Sequence, residues 1–163
     1  MVSPRLRHAV PLPAPIDYTG IRRILAAKIV VTLVLWAVPA LLLPIEWFPV
    51  FGIPKPPLAQ LVFVRLLGAA YVALVVGYAL AWRAPARHPG AILVGVVSNG
   101  LASLVILGVG AGGGFGTWDT LGAIYMWGSA LVTAGLAIAL VVVGQPLLRR
   151  LAERPRPGSV KVM

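Results

Sequence analysis

A small set of polar and charged side chains lies inside or beside four long apolar runs of this chain. The set comprises Arg65, Tyr125, Ser103 and Trp36 within the runs, with Glu46 and Asp119 just beyond their ends. If each run is a helix that rises about 1.5 Å per residue, the four residues within the runs reach a similar depth from one end. A guanidinium among carboxylates and hydroxyls could form ion pairs or bind an anionic or carbonyl-bearing molecule. The spacing therefore predicts a polar cluster in one half of a helix bundle.

Arg65 is the member of this cluster that most needs a partner. An arginine at the centre of a bilayer costs about 2.5–3.5 kcal/mol on insertion scales, so such residues usually face other helices. Glu46 and Asp119 are the only acidic residues near that end of the runs. Three interpretations stay open: a structural ion pair with one of these carboxylates, contact with lipid phosphate, or a receptor for an anionic or carbonyl-bearing ligand.

A second polar pair, Asn99 and Ser98, lies near the middle of the third run. Amide and hydroxyl groups at that depth are typical of hydrogen bonds between membrane helices, and we expect this role for both residues. Lys28 lies about one turn inside the first run, from where its side chain could extend back to lipid headgroups.

Several kinds of chemistry lack the residues that they need. The chain has no cysteine, which argues against thiolate catalysis and against Cys-based metal sites. Its two histidines, His8 and His88, lie outside the runs, so two histidines cannot ligate haem within a bundle. Neither Ser98 nor Ser103 has a nearby histidine that could act as a base. The sequence thus predicts no catalytic residue and no metal site, and it identifies no cofactor.

The apolar runs themselves predict the fold. They cover residues 24–44, 58–82, 91–110 and 118–143, and a hydrocarbon core about 30 Å thick needs roughly 20 helical residues. With 60% hydrophobic residues and a mean hydropathy of +0.95, a soluble fold would leave much apolar surface in water. We predict an all-α polytopic membrane protein in which residues 24–145 form a bundle of four transmembrane helices.

The distribution of positive charge predicts the orientation of this bundle. Twelve of the 14 lysines and arginines lie before or early in the first run, between the second and third runs, or after the fourth. Because positive segments resist translocation, both termini should be cytoplasmic. Residues 1–23 then form a cytoplasmic tail, and residues 146–163 form a disordered cytoplasmic tail, because Pro146 should end the last helix. The charge is explained by topology and by attraction to anionic lipids, without nucleic-acid binding.

Small residues and prolines predict how the helices pack. The second run carries small residues at intervals of four, namely Ala69, Ala73, Gly77 and Ala81. Small residues let two helix backbones approach closely, so we expect Ala73 or Gly77 to contact Gly95 or Asn99 of the third helix. Pro39 should kink the first helix, since proline removes a backbone donor.

The segment VRLLGAAYVALVVGYALAW, residues 64–82, places an arginine and a glycine at the start of an alanine-rich second helix. With the chain length and the predicted cytoplasmic termini, this segment resembles the small four-helix bacterial membrane proteins of the DoxX-like group. Some members of that group are associated with oxidases or redox stress. The resemblance implies a location in the bacterial inner (plasma) membrane and transfers no functional residue.

Three functions are compatible with these features. The first is a non-enzymatic accessory or assembly subunit of a larger membrane complex, because packing features are abundant. The second is a binder or transporter of a small lipophilic molecule, such as a quinone or a lipid, in the outer half of the bundle around Arg65. The third is a membrane enzyme that acts on such a molecule. The expected partners are membrane lipids and other membrane subunits or further copies of this chain.

Overall fold

The computed structural model describes residues 17–152, and this part of the chain is helical throughout apart from short connections. Its elements are α1 (Thr19–Val31), a π-helical segment (Thr32–Ala37), α2 (Val38–Leu42), two 3₁₀ turns (Ile45–Trp47 and Pro49–Phe51), α3 (Leu58–Arg83), α4 (Pro89–Ala111) and α5 (Thr120–Ala152). The first three run on without a break as one helix, Thr19–Leu42, which we call the first span. Within the described residues, the first span, α3, α4 and α5 are each long and apolar enough to cross a membrane. The predicted all-α chain with four such helices is confirmed.

Two helix boundaries differ from the prediction. The first span begins at Thr19, where a carboxylate oxygen of Asp17 accepts a hydrogen bond of 2.9 Å from the Thr19 backbone N–H. This bond lowers the pKa of Asp17. At the other end of the chain, α5 passes through Pro146 and continues to Ala152. The lost backbone bond is offset there because Leu147, only 4% exposed, packs into the apolar core. Residues 1–16 and 153–163, the outer parts of the predicted tails 1–23 and 146–163, lie outside the described residues.

The main apolar core lies at the end of the bundle where the first span begins, which we call the Thr19 end. All four helices contribute to it, through Ile21, Leu25, Tyr78, Ala81, Ile92, Leu140 and Leu147. Elsewhere, large aliphatic and aromatic side chains point away from the bundle; Phe63 is 72% exposed and Leu131 is 74% exposed. In water such a surface would be an aggregation hazard, whereas in a bilayer it contacts lipid.

The first span packs against α3, and α4 packs most extensively against α5. Gly68 permits close approach where the first span crosses α3, because a Cβ atom there would lie 3.0 Å from the backbone nitrogen of Leu41. These contacts bring polar residues of different helices within reach of one another.

We predicted that Ala73 or Gly77 of α3 contacts Gly95 or Asn99 of α4. The choice of the two α3 residues is wrong. Ala73 is exposed, and a Cβ atom at Gly77 would meet nothing within 4 Å. Tyr78 contacts α4 instead, since a Cβ atom added to Gly95 would lie 3.3 Å from the Tyr78 ring. Residues spaced by four turn through about 400°, so a row of small residues winds away from the neighbouring helix.

Candidate functional site

Two carbonyl groups near the end of the first span lack their usual α-helical donors. In an α-helix the N–H of each residue donates to the carbonyl four residues earlier, and proline has no N–H. Pro39 therefore provides no donor for the carbonyl of Leu35. The carbonyl of Ala40 belongs to the last turn of the span, which ends at Leu42, so it has no donor within the helix. A carbonyl without a partner is costly in hydrocarbon, so both groups need donors from elsewhere.

Side chains from two other helices supply these donors. The Tyr125 hydroxyl of α5 donates to the carbonyl of Leu35. The Arg65 guanidinium of α3 donates to the carbonyls of Ala40 at 2.8 Å and Leu43 at 2.6 Å. Tyr125 thus takes the place of the donor that Pro39 lacks, and Arg65 caps the end of the first span, which we call the Leu42 end of the bundle.

Arg65 binds backbone carbonyls and does not form the ion pair that was one of its three interpretations. Among the described side chains the one ion pair joins Lys55 and Glu46, at 4.0 Å and well exposed. Asp119 accepts a hydrogen bond of 3.0 Å from the Gly122 N–H and caps the start of α5. The guanidinium contacts carbonyls because the end of a helix carries a partial negative charge and lies within its reach.

The segment between the first span and α3 lies against the start of α5. The Asp119 N–H donates to the carbonyl of Gly52 at 3.2 Å. Gly52 has a φ of +72°, and a Cβ atom at Gly122 would lie 2.7 Å from its carbonyl carbon. Glycine is therefore required at both positions. Gly52 needs it for its left-handed backbone, and Gly122 needs it because the two backbones approach closely.

The other members of the predicted cluster also have separate partners. Ser103 donates to the carbonyl of Ala130 at 3.1 Å and joins α4 to α5. The ring of Trp36 packs near that of Tyr71, with 6.1 Å between the two ring centroids. Arg65, Tyr125 and Ser103 each bind a backbone carbonyl, so these residues do not form one site. Pro39 was the sequence signal that could have indicated the Tyr125 contact, whereas no proline lies four residues after Ala130 to indicate the Ser103 contact.

Lys28 is the polar residue whose place the sequence did not predict. It is only 2% exposed, and its ammonium group donates to the side-chain oxygen of Asn99 at 2.6 Å. The ammonium also lies 4.5 Å from the centroid of the Tyr78 ring. The expected extension to lipid headgroups is wrong, because an amide oxygen and an aromatic face provide partners inside the bundle. Lys28 lies about 13 Å from the start of its helix and Asn99 about 15 Å from the start of its own, at one level.

A cavity of about 40 Å³ lies beside Lys28 and is lined by residues of all four helices. Its polar lining consists of Lys28, Thr32, Tyr78, Ser98, Asn99 and Thr133. Its apolar lining includes Trp36, Tyr71, Leu74 and Ile106. The volume suits about two or three water molecules, or one small end of a larger molecule.

Two buried polar atoms of this lining have no hydrogen-bond partner among the described residues, the Thr32 hydroxyl oxygen and the Asn99 amide nitrogen. Thr32 is 2% exposed and Asn99 is 4% exposed. By contrast, Ser98 and Tyr78 share a hydrogen bond of 3.2 Å, and the Thr133 hydroxyl donates to carbonyls of its own helix. Buried polar atoms are normally paired, so the cavity holds unused hydrogen-bonding capacity.

The π-helical segment begins next to this cavity, and two of its residues, Thr32 and Trp36, line it. In the wider turn, the Val38 N–H donates to the carbonyl of Leu33, five residues earlier. Such turns are rare and occur frequently at functional sites. The Lys28 cavity, with its buried cation and unpaired donors, is therefore the candidate functional site.

A comparison of the chain with known protein families, curated proteins and solved structures finds no match.

Proposed function

We propose that this chain is a multi-pass membrane protein that binds a small lipophilic molecule inside its helix bundle, in the cavity beside Lys28. The observation that carries the proposal is a lysine 2% exposed whose hydrogen-bond partner is a neutral amide. Ionisable groups within a membrane domain are costly, and they commonly mark ligand or ion sites. Arg65 is a contrasting case, because its guanidinium donates to two carbonyls that need donors and therefore has a structural role.

This proposal places the site differently from the sequence-based hypothesis. That hypothesis put a ligand in the outer half of the bundle, around Arg65. The cavity lies nearer the middle, because Lys28 and Asn99 are about 13–15 Å from the Thr19 end. A quinone or a lipid remains an appropriate class of ligand, since aromatic and aliphatic side chains line part of the cavity.

The orientation is part of the same proposal. Exposed arginines mark the Thr19 end, with Arg22 and Arg23 on the first span and Arg83 and Arg87 at the turn between α3 and α4. Because such residues favour the cytoplasmic side, we place this end and both termini in the cytoplasm, with the bundle in the inner (plasma) membrane of a bacterium.

A second candidate function is an accessory or assembly subunit of a larger membrane complex. Outward-facing glycines favour it, because a Cβ atom at Gly100, Gly108, Gly128 or Gly135 would meet nothing within 4 Å. Small residues on the outside of a bundle let the helix of another subunit, or of a second copy, approach closely.

Native mass spectrometry of the full chain from mild detergent tests the two candidates. Ligand binding predicts a non-covalent small molecule on the wild-type protein, strongly reduced in Lys28→Met. Lys55→Met is the matched control, because Lys55 is an exposed lysine far from the cavity, and it should retain the molecule. An accessory role predicts a protein partner at fixed stoichiometry. If the wild type and Lys28→Met carry the same small molecules in equal amount, the ligand proposal is wrong.

A further inference from the structure

Each unused polar group of the Lys28 cavity can donate a hydrogen bond. The side-chain oxygen of Asn99 already accepts from Lys28, so its free nitrogen presents two N–H groups. The Lys28 ammonium has three N–H groups and one hydrogen-bond partner. The Thr32 hydroxyl is unpaired as well and can also donate. A ligand that satisfies these groups must accept hydrogen bonds from several directions.

The cavity also lacks a negative charge from the protein. The carboxylates within residues 17–152 are Asp17, Glu46 and Asp119, and none of them pairs with Lys28. Asp17 is exposed before the start of the first span, and the other two are exposed near the Leu42 end. The Tyr78 ring offers the ammonium only the negative face of a quadrupole. The charge of Lys28 is therefore balanced best by an anion that enters from outside.

The size and lining of the cavity restrict this anion. A volume of about 40 Å³ corresponds to two or three water-sized groups, which suits a carboxylate. Next to the donors lie Trp36, Leu74 and Ile106, which suit an apolar chain or ring attached to that carboxylate.

We propose that the cavity binds the carboxylate end of a lipophilic acid, such as a fatty acid, with Lys28, Asn99 and Thr32 as its donors. This inference rests on the proposed function and names the class of its ligand. Asn99 has a double role in it, because its oxygen positions the Lys28 ammonium while its nitrogen faces the ligand. Lys28 supplies the positive charge, and charge-assisted hydrogen bonds of this kind are the stronger ones.

The test compares two probes that differ only in their polar end, laurate and dodecanol. The delipidated full chain in non-ionic detergent is titrated with each probe, and thermal unfolding is followed. Laurate should raise the melting temperature in a saturable way, with an apparent affinity about tenfold or more above that of dodecanol. Lys28→Met should abolish this preference, whereas Lys55→Met should keep it.

Thr32→Val provides a second variant in case Lys28→Met does not fold. It removes one donor with little change of shape, and it should weaken laurate binding about fivefold while dodecanol binding stays unchanged. Equal responses to laurate and dodecanol that both disappear in Lys28→Met would refute the anionic group and leave ligand binding intact. Laurate binding that persists in Lys28→Met and Thr32→Val, or no response to laurate at all, would also overturn the inference; the native mass spectra then decide separately whether the cavity binds a ligand.

Discussion

The hydroxyl of Tyr125 should stabilise the bundle only as long as residue 39 is proline. It donates to the carbonyl of Leu35, the group that an N–H at position 39 would bind in an α-helical register. Tyr125→Phe removes this donor and keeps the ring. In a Pro39→Ala background we expect this turn to take the α-helical register, in which the new backbone N–H binds the Leu35 carbonyl, so the same substitution should matter much less.

The magnitude follows from the environment of this bond. Tyr125 and Leu35 are both partly buried, and side-chain hydrogen bonds within membrane proteins contribute on average about 0.6 and at most about 1.7 kcal/mol. Leaving a carbonyl without a protein donor puts this case in the upper part of that range. We expect Tyr125→Phe to lower the free energy of unfolding by about 1.5 kcal/mol with Pro39 present and by less than about 0.5 kcal/mol in the Pro39→Ala background.

Reversible unfolding in mixed micelles, titrated with a denaturing detergent, measures these differences. The four proteins of the cycle are the wild type, the two single variants and the double variant, and their coupling should be about 1 kcal/mol. Tyr71→Phe is a matched control, since the Tyr71 hydroxyl has no hydrogen bond within residues 17–152 while its ring packs on Trp36. An equal loss from Tyr125→Phe in both backgrounds would refute the idea that the hydroxyl replaces a missing backbone donor.

Three further predictions concern other parts of the bundle. Arg65→Gln should lower the free energy of unfolding by about 2 kcal/mol and Arg65→Lys by about half as much, because lysine cannot reproduce the fork that binds two carbonyls; equal stability of the three proteins in the same assay would contradict the cap. Gly95→Val should destabilise the fold by about 1–3 kcal/mol through overpacking, whereas Gly77→Val should be nearly neutral, and the order of their melting temperatures checks this. A cysteine introduced at Ser3 should be protected from an impermeant thiol reagent in intact cells while one at Gly113 is labelled; the reverse pattern would invert the proposed orientation.

The four helices could be predicted because each rests on about 20 residues of one character, a signal that single residues do not change. The residues at which the helices begin and end could not be predicted in this way, because they depend on individual contacts. The hydrogen bond from Thr19 to Asp17 extends the first span toward the N-terminus, and the packing of Leu147 favours a helix that continues past Pro146. Contacts of this kind form between particular atoms and leave no pattern in hydropathy.

The candidate site was less predictable because depth along a helix does not determine the direction of a side chain. Arg65, Tyr125 and Ser103 lie at similar depths, but each turns to a different carbonyl. Lys28 and Asn99 also share a level, and an estimate made from Thr19 instead of Ile24 would have brought them together. That estimate would still not have shown Lys28 inside the bundle, because burial depends on how the four helices are rotated.

The π-helical segment Thr32–Ala37 adjusts the phase of the first span. Each residue of an α-helix advances by about 100°, and the wider turn places an additional residue in one turn, so the two flanking α-helical parts are out of register. If the same residues formed a regular α-helix, one part would be rotated against the other by about 100°. Either Lys28 would keep its place beside the cavity, or the carbonyls of Leu35 and Ala40 would keep their donors. The irregular turn lets one continuous helix satisfy two interfaces that a regular helix could not serve together.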